Sequence, residues 1–320
     1  MKSAWNSDDR KTGDAFWRTK LYRKYERRVK VDNKLRVLVT GIRGQLGYDV
    51  VKELLRRGME PVGVGREEMD ITDTAAVERV ITEADVRAVI HCAAYNAVDK
   101  AEEDVENCRK GNVDGARNIA FVCRKRDIKM LFVSTDYVFD GSGNRAWTTE
   151  DVPNPLSVYG KSKYDAELAV QELLTKLFVV RISWAFGING NNFVKTMLRL
   201  SETRDRLSVV NDQVGSPTFT EDLAVLLVDM IQTEKYGVYH ATNEGDCSWY
   251  EFACEIFRMA GKTMTVTPVT TEEYGAKAPR PQNSRLSKDK LTENGFKRLP
   301  HWQSALERYL TQLGEMKFSS

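Results

Sequence analysis

The chain has little of several things that would have decided its class early. Its five cysteines, Cys92, Cys108, Cys123, Cys247 and Cys254, are odd in number, widely spaced and never in a Cys-x-x-Cys pair. That excludes a disulfide-stapled miniature and a thiolate zinc knot, and it fits a reducing compartment. Only 8 of the 320 residues are proline and 21 are glycine, while 42% are apolar and 29% charged, a composition that excludes collagen and disorder. No apolar run approaches the roughly 18 residues that a membrane span needs. The first nine residues show no apolar stretch behind a basic start, so no secretory signal and a cytoplasmic location are expected.

Charge is short too, with a net of only +2, but it is unevenly placed. Residues 1–34 carry 11 Lys/Arg against 5 Asp/Glu, whereas the other 286 carry 37 against 41. The basic character therefore belongs to an extension, in which Phe16, Trp17, Leu21, Tyr25 and Val29 recur near a helical period, as in a surface- or partner-binding helix. A solvated extension docked loosely on the body is the plainer reading. A nucleic-acid enzyme is disfavoured, because such proteins spread positive charge over the functional surface.

The β-branched run 35–40 is followed at once by Gly41-Ile42-Arg43-Gly44-Gln45-Leu46-Gly47 and then by Val50, Leu54 and Leu55 at helical spacing. Strand, glycine turn and helix open a dinucleotide-binding βαβ unit. Further strands are predicted at 61–64, 88–92, 130–134 and 178–182, alternating with helices at 74–83, 105–124 and 159–175. The pattern predicts an α/β fold, a Rossmann-type doubly wound parallel sheet over residues 35–184. Residues 185–320 are expected to form mainly a smaller α/β substrate-binding domain, some of whose segments return to the Rossmann domain. Helices are predicted there at 192–204, 221–231 and 249–259, and strands at 207–210 and 238–240.

In the loop, Gly41 allows a tight turn, Gly44 lets the backbone approach a pyrophosphate, and Gly47 lets the helix pack closely on the strand. Arg43, Gln45 and Leu46 complete the cradle. At the end of the second strand, where an NAD site usually places an acidic residue, the chain has Gly65 and then Arg66. That favours NADPH, with Arg66 on the extra phosphate, and leaves NADH as the alternative through Glu67 and Glu68. Asp70 and Ile71 are expected beside the adenine. Cys92, Ala93 and Ala94 end a strand on the nicotinamide side, with Cys92 as core filling and His91 satisfying backbone groups.

Tyr159 and Lys163, four apart, lie one above the other on a helix, so that the ammonium is expected to lower the phenol's pKa towards working pH. Thr135, ending the preceding strand, completes a Thr/Tyr/Lys group beside a nicotinamide and is placed to bond a substrate carbonyl.

At these residues the chain resembles the extended short-chain dehydrogenase/reductase family, in its dTDP-4-dehydrorhamnose reductase branch, over about residues 35–310. Besides the glycine loop, the resemblance rests on His91–Tyr95 with Val98-Asp99, Ser134–Gly141 and Pro155–Gly160. Downstream it rests on Arg181–Trp184, Gly190–Phe193, Asp212–Thr218 and Arg280–Arg285. It implies that Thr135, Tyr159 and Lys163 are catalytic, and that Asn112 shapes a helix and positions water behind the lysine. It further implies that Trp184 covers the sugar ring, that Asp136 binds sugar, and that Asn192, Gln213, Arg280 and Arg285 serve the substrate side, with Arg285 on the diphosphate. Each has a duller reading: a core residue for Trp184, a helix cap for Asn192, a loop brace for Gln213, a surface ion pair for Arg285, a turn cap for Asp136.

The implied activity is NADPH-dependent reduction of the C4 ketone of dTDP-4-dehydro-L-rhamnose to dTDP-L-rhamnose, supplying cell-surface polysaccharide. An epimerase or dehydratase is the first competitor. A dehydratase usually needs an acidic pair after the threonine, and Asp136-Tyr137 offers one carboxylate. A second competitor is a non-catalytic relative, the regulatory subunit of methionine adenosyltransferase, against which the complete trio, Gln213 and Arg285 argue. Two features depart from the branch: the basic extension, and Tyr48-Asp49, which gives no clear match to the carboxylates that link some members through Mg2+. No metal ligands are assigned, Mg2+ is left open, and the chain is expected to be a monomer or homodimer.

Overall fold

Residues Arg36–Thr40 (β1) bury Val37 and Val39 on one face of a sheet and Leu38 on the other. This two-sided burial is what an apolar β-branched run achieves when helices cover both faces. The computed structural model describes residues 35–314, and the expected basic helix of residues 1–34 lies outside them. Four more strands, β2 (Glu60–Val64), β3 (Ala88–His91), β4 (Lys129–Thr135) and β5 (Leu177–Ile182), join β1 and the late segment Gly237–His240. They form one six-stranded sheet, ordered β2-β1-β3-β4-β5 and then Gly237–His240, with every pairing parallel. The strand order reverses at β1, which opens a crevice at the carboxyl ends of β1 and β3.

Helices Gln45–Arg56 and Thr220–Ile231 pack on one face through Leu46, Val50, Leu54, Leu223 and Leu227. Helices Thr74–Ala84, Gly115–Lys125 and Val158–Leu173 cover the other through Val77, Ile81, Ile119, Ala166 and Val170. A separate core gathers Phe186, Phe219, Phe252, Trp302 and Tyr309 beyond the carboxyl edge of the sheet. Among the described residues no helix is long and apolar enough to cross a membrane.

Three local outcomes differ from the pattern reading. The expected helix 105–124 is interrupted: Val105–Arg109 passes through a π turn, Lys110–Asp114, into Gly115–Lys125. The inserted residue turns Asn112 inwards, a distortion frequent at functional sites. Strand Thr265–Val269, unforeseen because its residues are largely exposed, pairs in parallel with Arg206–Val210. Helix Trp302–Leu313, also unforeseen, closes the separate core.

Candidate active site

The glycine loop carries its backbone where side chains cannot go. Gly41 has φ +70°, and a Cβ there would stand 2.9 Å from the Ala93 backbone. A Cβ on Gly47 would come within 2.4 Å of the Gly41 carbonyl oxygen, so the helix starts against the turn only because that atom is missing. Gly44 is the N-cap and offers no side chain, Gln45 begins the helix, and the Leu46 side chain enters the core. The helix N-terminus thereby faces the crevice with free donors and a positive dipole end.

A cavity of about 810 Å3 extends from this loop along the ends of β1, β2 and β3, lined by Arg43, Gly65, Arg66, Asp70, Ile71 and Ala94 among others. Arg43 reaches from the loop to the end of β2, donating to Glu67 at 2.8 Å and Glu68 at 3.1 Å. Glu68 also accepts from the Gly65 amide at 2.8 Å. Arg66, singled out for the cofactor phosphate, is 89% exposed and stands 3.9 Å from Asp70, so Arg43 is the more firmly placed of the two guanidinium groups. Asp70 is further fixed by Thr72, whose amide and hydroxyl both donate to it and hold its carboxyl below the usual range. Ile71 packs against Gly115. On the far wall the amides of Cys92 and Ala93 donate to Thr40 Oγ1, whose oxygen lies 2.7 Å from His91 Nδ1. His91 stacks on Phe132, and burial pushes it down to about 3, a neutral structural role. The Cys92 thiol is pushed up to about 12 by burial and is no nucleophile. A glycine cradle that a Cβ would fill, a helix N-terminus and an arginine-flanked groove fit a dinucleotide phosphate.

The Thr/Tyr/Lys group meets at the carboxyl end of β4. Ser157 caps helix Val158–Leu173 by accepting from the Gly160 amide at 3.1 Å. Gly160 has no room for a Cβ against the Tyr137 carbonyl, which draws the first turn, with Tyr159, onto the end of β4. There the Tyr159 ring meets Tyr137 edge-on at 5.5 Å. Burial pushes the phenol well above its ordinary value, the neighbouring Thr135 hydroxyl opposes this, and the Asp136 carboxylate adds to it. Lys163 donates to the Val133 carbonyl at 2.7 Å and lies 4.1 Å over the Phe132 ring. The expected fall of the phenol's pKa towards working pH is not what the protein's own groups produce at this site: they raise it. Desolvation dominates here, and the lysine's hydrogen bond goes to the backbone. Asn112 accepts from the Tyr95 amide at 2.7 Å and donates to Ser162 Oγ at 2.8 Å, pinning helix Val158–Leu173 to the loop after β3. It reaches the lysine through this bracing rather than by direct contact.

Asp136 is buried, with Oδ1 accepting from Thr135 at 3.0 Å and Oδ2 unpartnered. Burial pushes its carboxyl up to about 6. An orphaned acceptor beside the phenol is what a ligand hydroxyl would satisfy. Trp184 holds a left-handed backbone, φ +47°, and stacks on Trp249 at 3.7 Å with Gly215 against its edge.

Other substrate-side candidates are already engaged. Asn192 caps helix Phe193–Ser201 and its amide nitrogen bonds Gln45, Gly187 and Tyr309, so both ends of the amide have protein partners. Gln213 donates to Thr271 at 3.0 Å, Arg280 to Asp99 at 2.7 Å, and Arg285 to Asn283 at 3.0 Å with Asp246 at 3.5 Å. Tyr137 and Asp99, which fix Tyr159 and Arg280, were not singled out, although both lie in motifs quoted for the resemblance. Among the described residues no group of three or more His, Cys, Asp or Glu side chains is assembled to hold a metal.

A doubly wound sheet with a glycine cradle at its switch point and a Thr/Tyr/Lys group at the end of β4 defines a dehydrogenase/reductase of the extended short-chain type. Residues 35–315 match the family described as the RmlD substrate binding domain, and the chain belongs to that family. A dTDP-4-dehydrorhamnose reductase of Aggregatibacter actinomycetemcomitans is 40% identical over 285 residues, covering 85% of this chain and 97% of the relative. The spore coat polysaccharide biosynthesis protein SpsK of Bacillus subtilis is 38% identical over 277 residues, 87% of this chain and 97% of its own. Among solved structures, dTDP-4-dehydrorhamnose reductase from Bacillus anthracis in complex with NADP superposes with a TM-score of 0.86 at 43% identity, over 88% of this chain and 100% of that one.

Proposed function

We propose that this chain reduces the C4 ketone of dTDP-4-dehydro-L-rhamnose to dTDP-L-rhamnose with NADPH. The observation that carries the reading is the proton donor: a desolvated phenol beside Thr135 at the strand ends, next to a dinucleotide cradle. The family and the named relatives supply the sugar nucleotide. The glycine loop would hold the pyrophosphate, Arg43 with Arg66 the 2′-phosphate, and Lys163 the nicotinamide-ribose hydroxyls. Bound there, the reduced cofactor supplies the hydride that C4 receives.

The protein's own part is positional and electrostatic. Thr135, whose hydroxyl donates to Asp136 Oδ1 in this structure, would turn it to the ketone oxygen and orient the carbonyl. Tyr159 gives its proton to that oxygen as negative charge builds there, and its raised pKa ensures that the proton is present at neutral pH. Lys163, one helical turn on, stabilises the phenolate left behind. Asp136 Oδ2 accepts from a sugar hydroxyl and Trp184 covers the ring. The reading includes a cytoplasmic location, with which five free thiols are compatible, and a monomer or homodimer.

The test is NADPH oxidation with freshly generated dTDP-4-dehydro-L-rhamnose and identification of the product. One NADPH consumed per dTDP-L-rhamnose formed supports the reading. Tightly retained NAD with no net consumption would replace it with an epimerase or dehydratase. Co-purification with a synthetase subunit and no ketone turnover would replace it with a binding protein. Equal turnover of the UDP sugar would refute the nucleotide assignment.

A further inference from the structure

Arg181, in a motif that the reaction leaves unused, forms a buried ion pair with Glu167 on the catalytic helix. The guanidinium donates from Nε at 3.0 Å and from Nη2 at 2.7 Å, and the two side chains are 4% and 0% exposed. Replacing such a pair by apolar residues is often neutral or stabilising, so its stability contribution does not account for it. Its position offers an account. Tyr159, Lys163 and Glu167 follow one another at spacings of four along one helix face. Arg181 stands on β5 opposite Ser134, next to the Val133 carbonyl that Lys163 bonds.

The surroundings identify the charges that act. His91 and Cys92 on the β3 side and Cys108 on helix Val105–Arg109 also face Lys163. Burial holds His91 neutral and both thiols protonated. Behind Arg181, His240 Nε2 lies 3.4 Å from Nη1 while Nδ1 faces the Trp147 carbonyl at 3.1 Å, the pattern of a neutral imidazole. Burial and the neighbouring Arg181 push His240 down to about 3. Burial likewise draws Lys163 down to about 8, and the Glu167 carboxylate is the strongest influence opposing it. One buried carboxylate thus pairs with Arg181 and lies one helical turn from Lys163.

We propose that Glu167 is a positioning residue: its carboxylate, held by Arg181 one helical turn from Lys163, keeps the lysine cationic and leaves the cluster one positive charge in excess, to be balanced by the anion formed at Tyr159. The last clause rests on the reductase reading. The effect on the lysine does not.

Lysine labelled with 13C lets the Cε resonance of Lys163, assigned with Lys163→Arg, be followed through a pH titration without substrate. Glu167→Gln should lower the Lys163 midpoint by about one pH unit, the scale of an opposite charge nearby. Arg181→Met should raise it, because Glu167 then answers one cation. In the NADPH assay the alkaline limb of kcat/KM should move down in Glu167→Gln. An unchanged Lys163 midpoint, even with a lower melting temperature, overturns the proposal and leaves the pair a structural tie. Should Glu167→Gln not fold, the comparison of Arg181→Met with Glu167→Gln/Arg181→Met isolates the carboxylate, and a Lys163 midpoint no lower in the double variant than in Arg181→Met overturns the proposal equally. A wild-type protein that does not turn over the sugar refutes the reductase reading while the lysine titration still decides this one.

Discussion

Asn192→Ala separates a structural amide from a substrate ligand by the size of its stability cost. The side-chain oxygen caps helix Phe193–Ser201 by accepting from the Lys195 amide at 3.0 Å, and loss of such a cap costs about 1 kcal/mol. The nitrogen, with two hydrogens to give, has Gly187 at 2.8 Å, Tyr309 at 2.9 Å and Gln45 at 3.0 Å as acceptors. These three losses are unequal. The Gly187 carbonyl keeps the Tyr309 hydroxyl at 3.1 Å, and Tyr309 keeps that bond as donor, so neither is orphaned. Gln45 is half-buried and within reach of water. The amide bonds therefore add about 1–2 kcal/mol rather than the full desolvation of three groups, for a total of about 2–3 kcal/mol. Urea unfolding at 25 °C should show this as a lower midpoint at unchanged slope, and Asn192→Ser, which keeps a capping oxygen, should recover about 1 kcal/mol. An alanine variant as stable as the wild type but with a sharply raised KM for the sugar nucleotide would refute the capping account and restore the residue to the substrate.

Tyr159→Phe should lower kcat/KM by about 10²–10⁴-fold with the NADPH dissociation constant unchanged, as measured by cofactor fluorescence, since it removes the acid and nothing that faces the cradle. Arg43→Ala and Arg66→Ala should each weaken NADPH more than NADH, with the larger loss of selectivity at Arg43; equal losses for the two cofactors would reject the phosphate contact. Asp49, buried against Thr220 at 2.5 Å and pushed up to about 6 by burial, binds its proton more tightly folded than unfolded. Its contribution to stability is therefore full below about pH 4 and lost as pH rises through 6, so Asp49→Asn should stabilise the fold by about 2–3 kcal/mol at pH 7.5 and by almost nothing at pH 4, checked by urea titrations at both.

What could be read from the chain beforehand follows a physical division. The β1 run, the three glycines and the Tyr159/Lys163 spacing are legible because each is a local requirement: two-sided burial, missing Cβ atoms, one helix face. The π turn at Lys110–Asp114 is not, since one inserted residue barely disturbs a 3.6-residue period, and its cause, the bonds from Asn112 to Tyr95 and Ser162, spans up to 50 positions. Strand Thr265–Val269 escaped because it pairs at a partly solvated edge. The state of Tyr159 escaped for another reason. Spacing shows that an ammonium is near but not how far the phenol is desolvated, and desolvation is the larger effect.

The same distinction bears on where substrate selectivity arises. Arg280, Arg285 and Gln213 already bond Asp99, Asp246 with Asn283, and Thr271. A ligand that takes them over exchanges one set of hydrogen bonds for another, and such exchanges return little net free energy. Asp136 differs, being buried with Oδ2 short of a close partner and only the Thr135 and Ser284 hydroxyls beside its carboxylate. A sugar hydroxyl that reaches it relieves a desolvation cost of about 1–3 kcal/mol, and a sugar lacking that hydroxyl leaves the cost in place. Discrimination among sugars should therefore be concentrated at the residue next to Thr135. A diphosphate met by Arg285 is common to every sugar nucleotide, so that contact would contribute affinity with little selectivity.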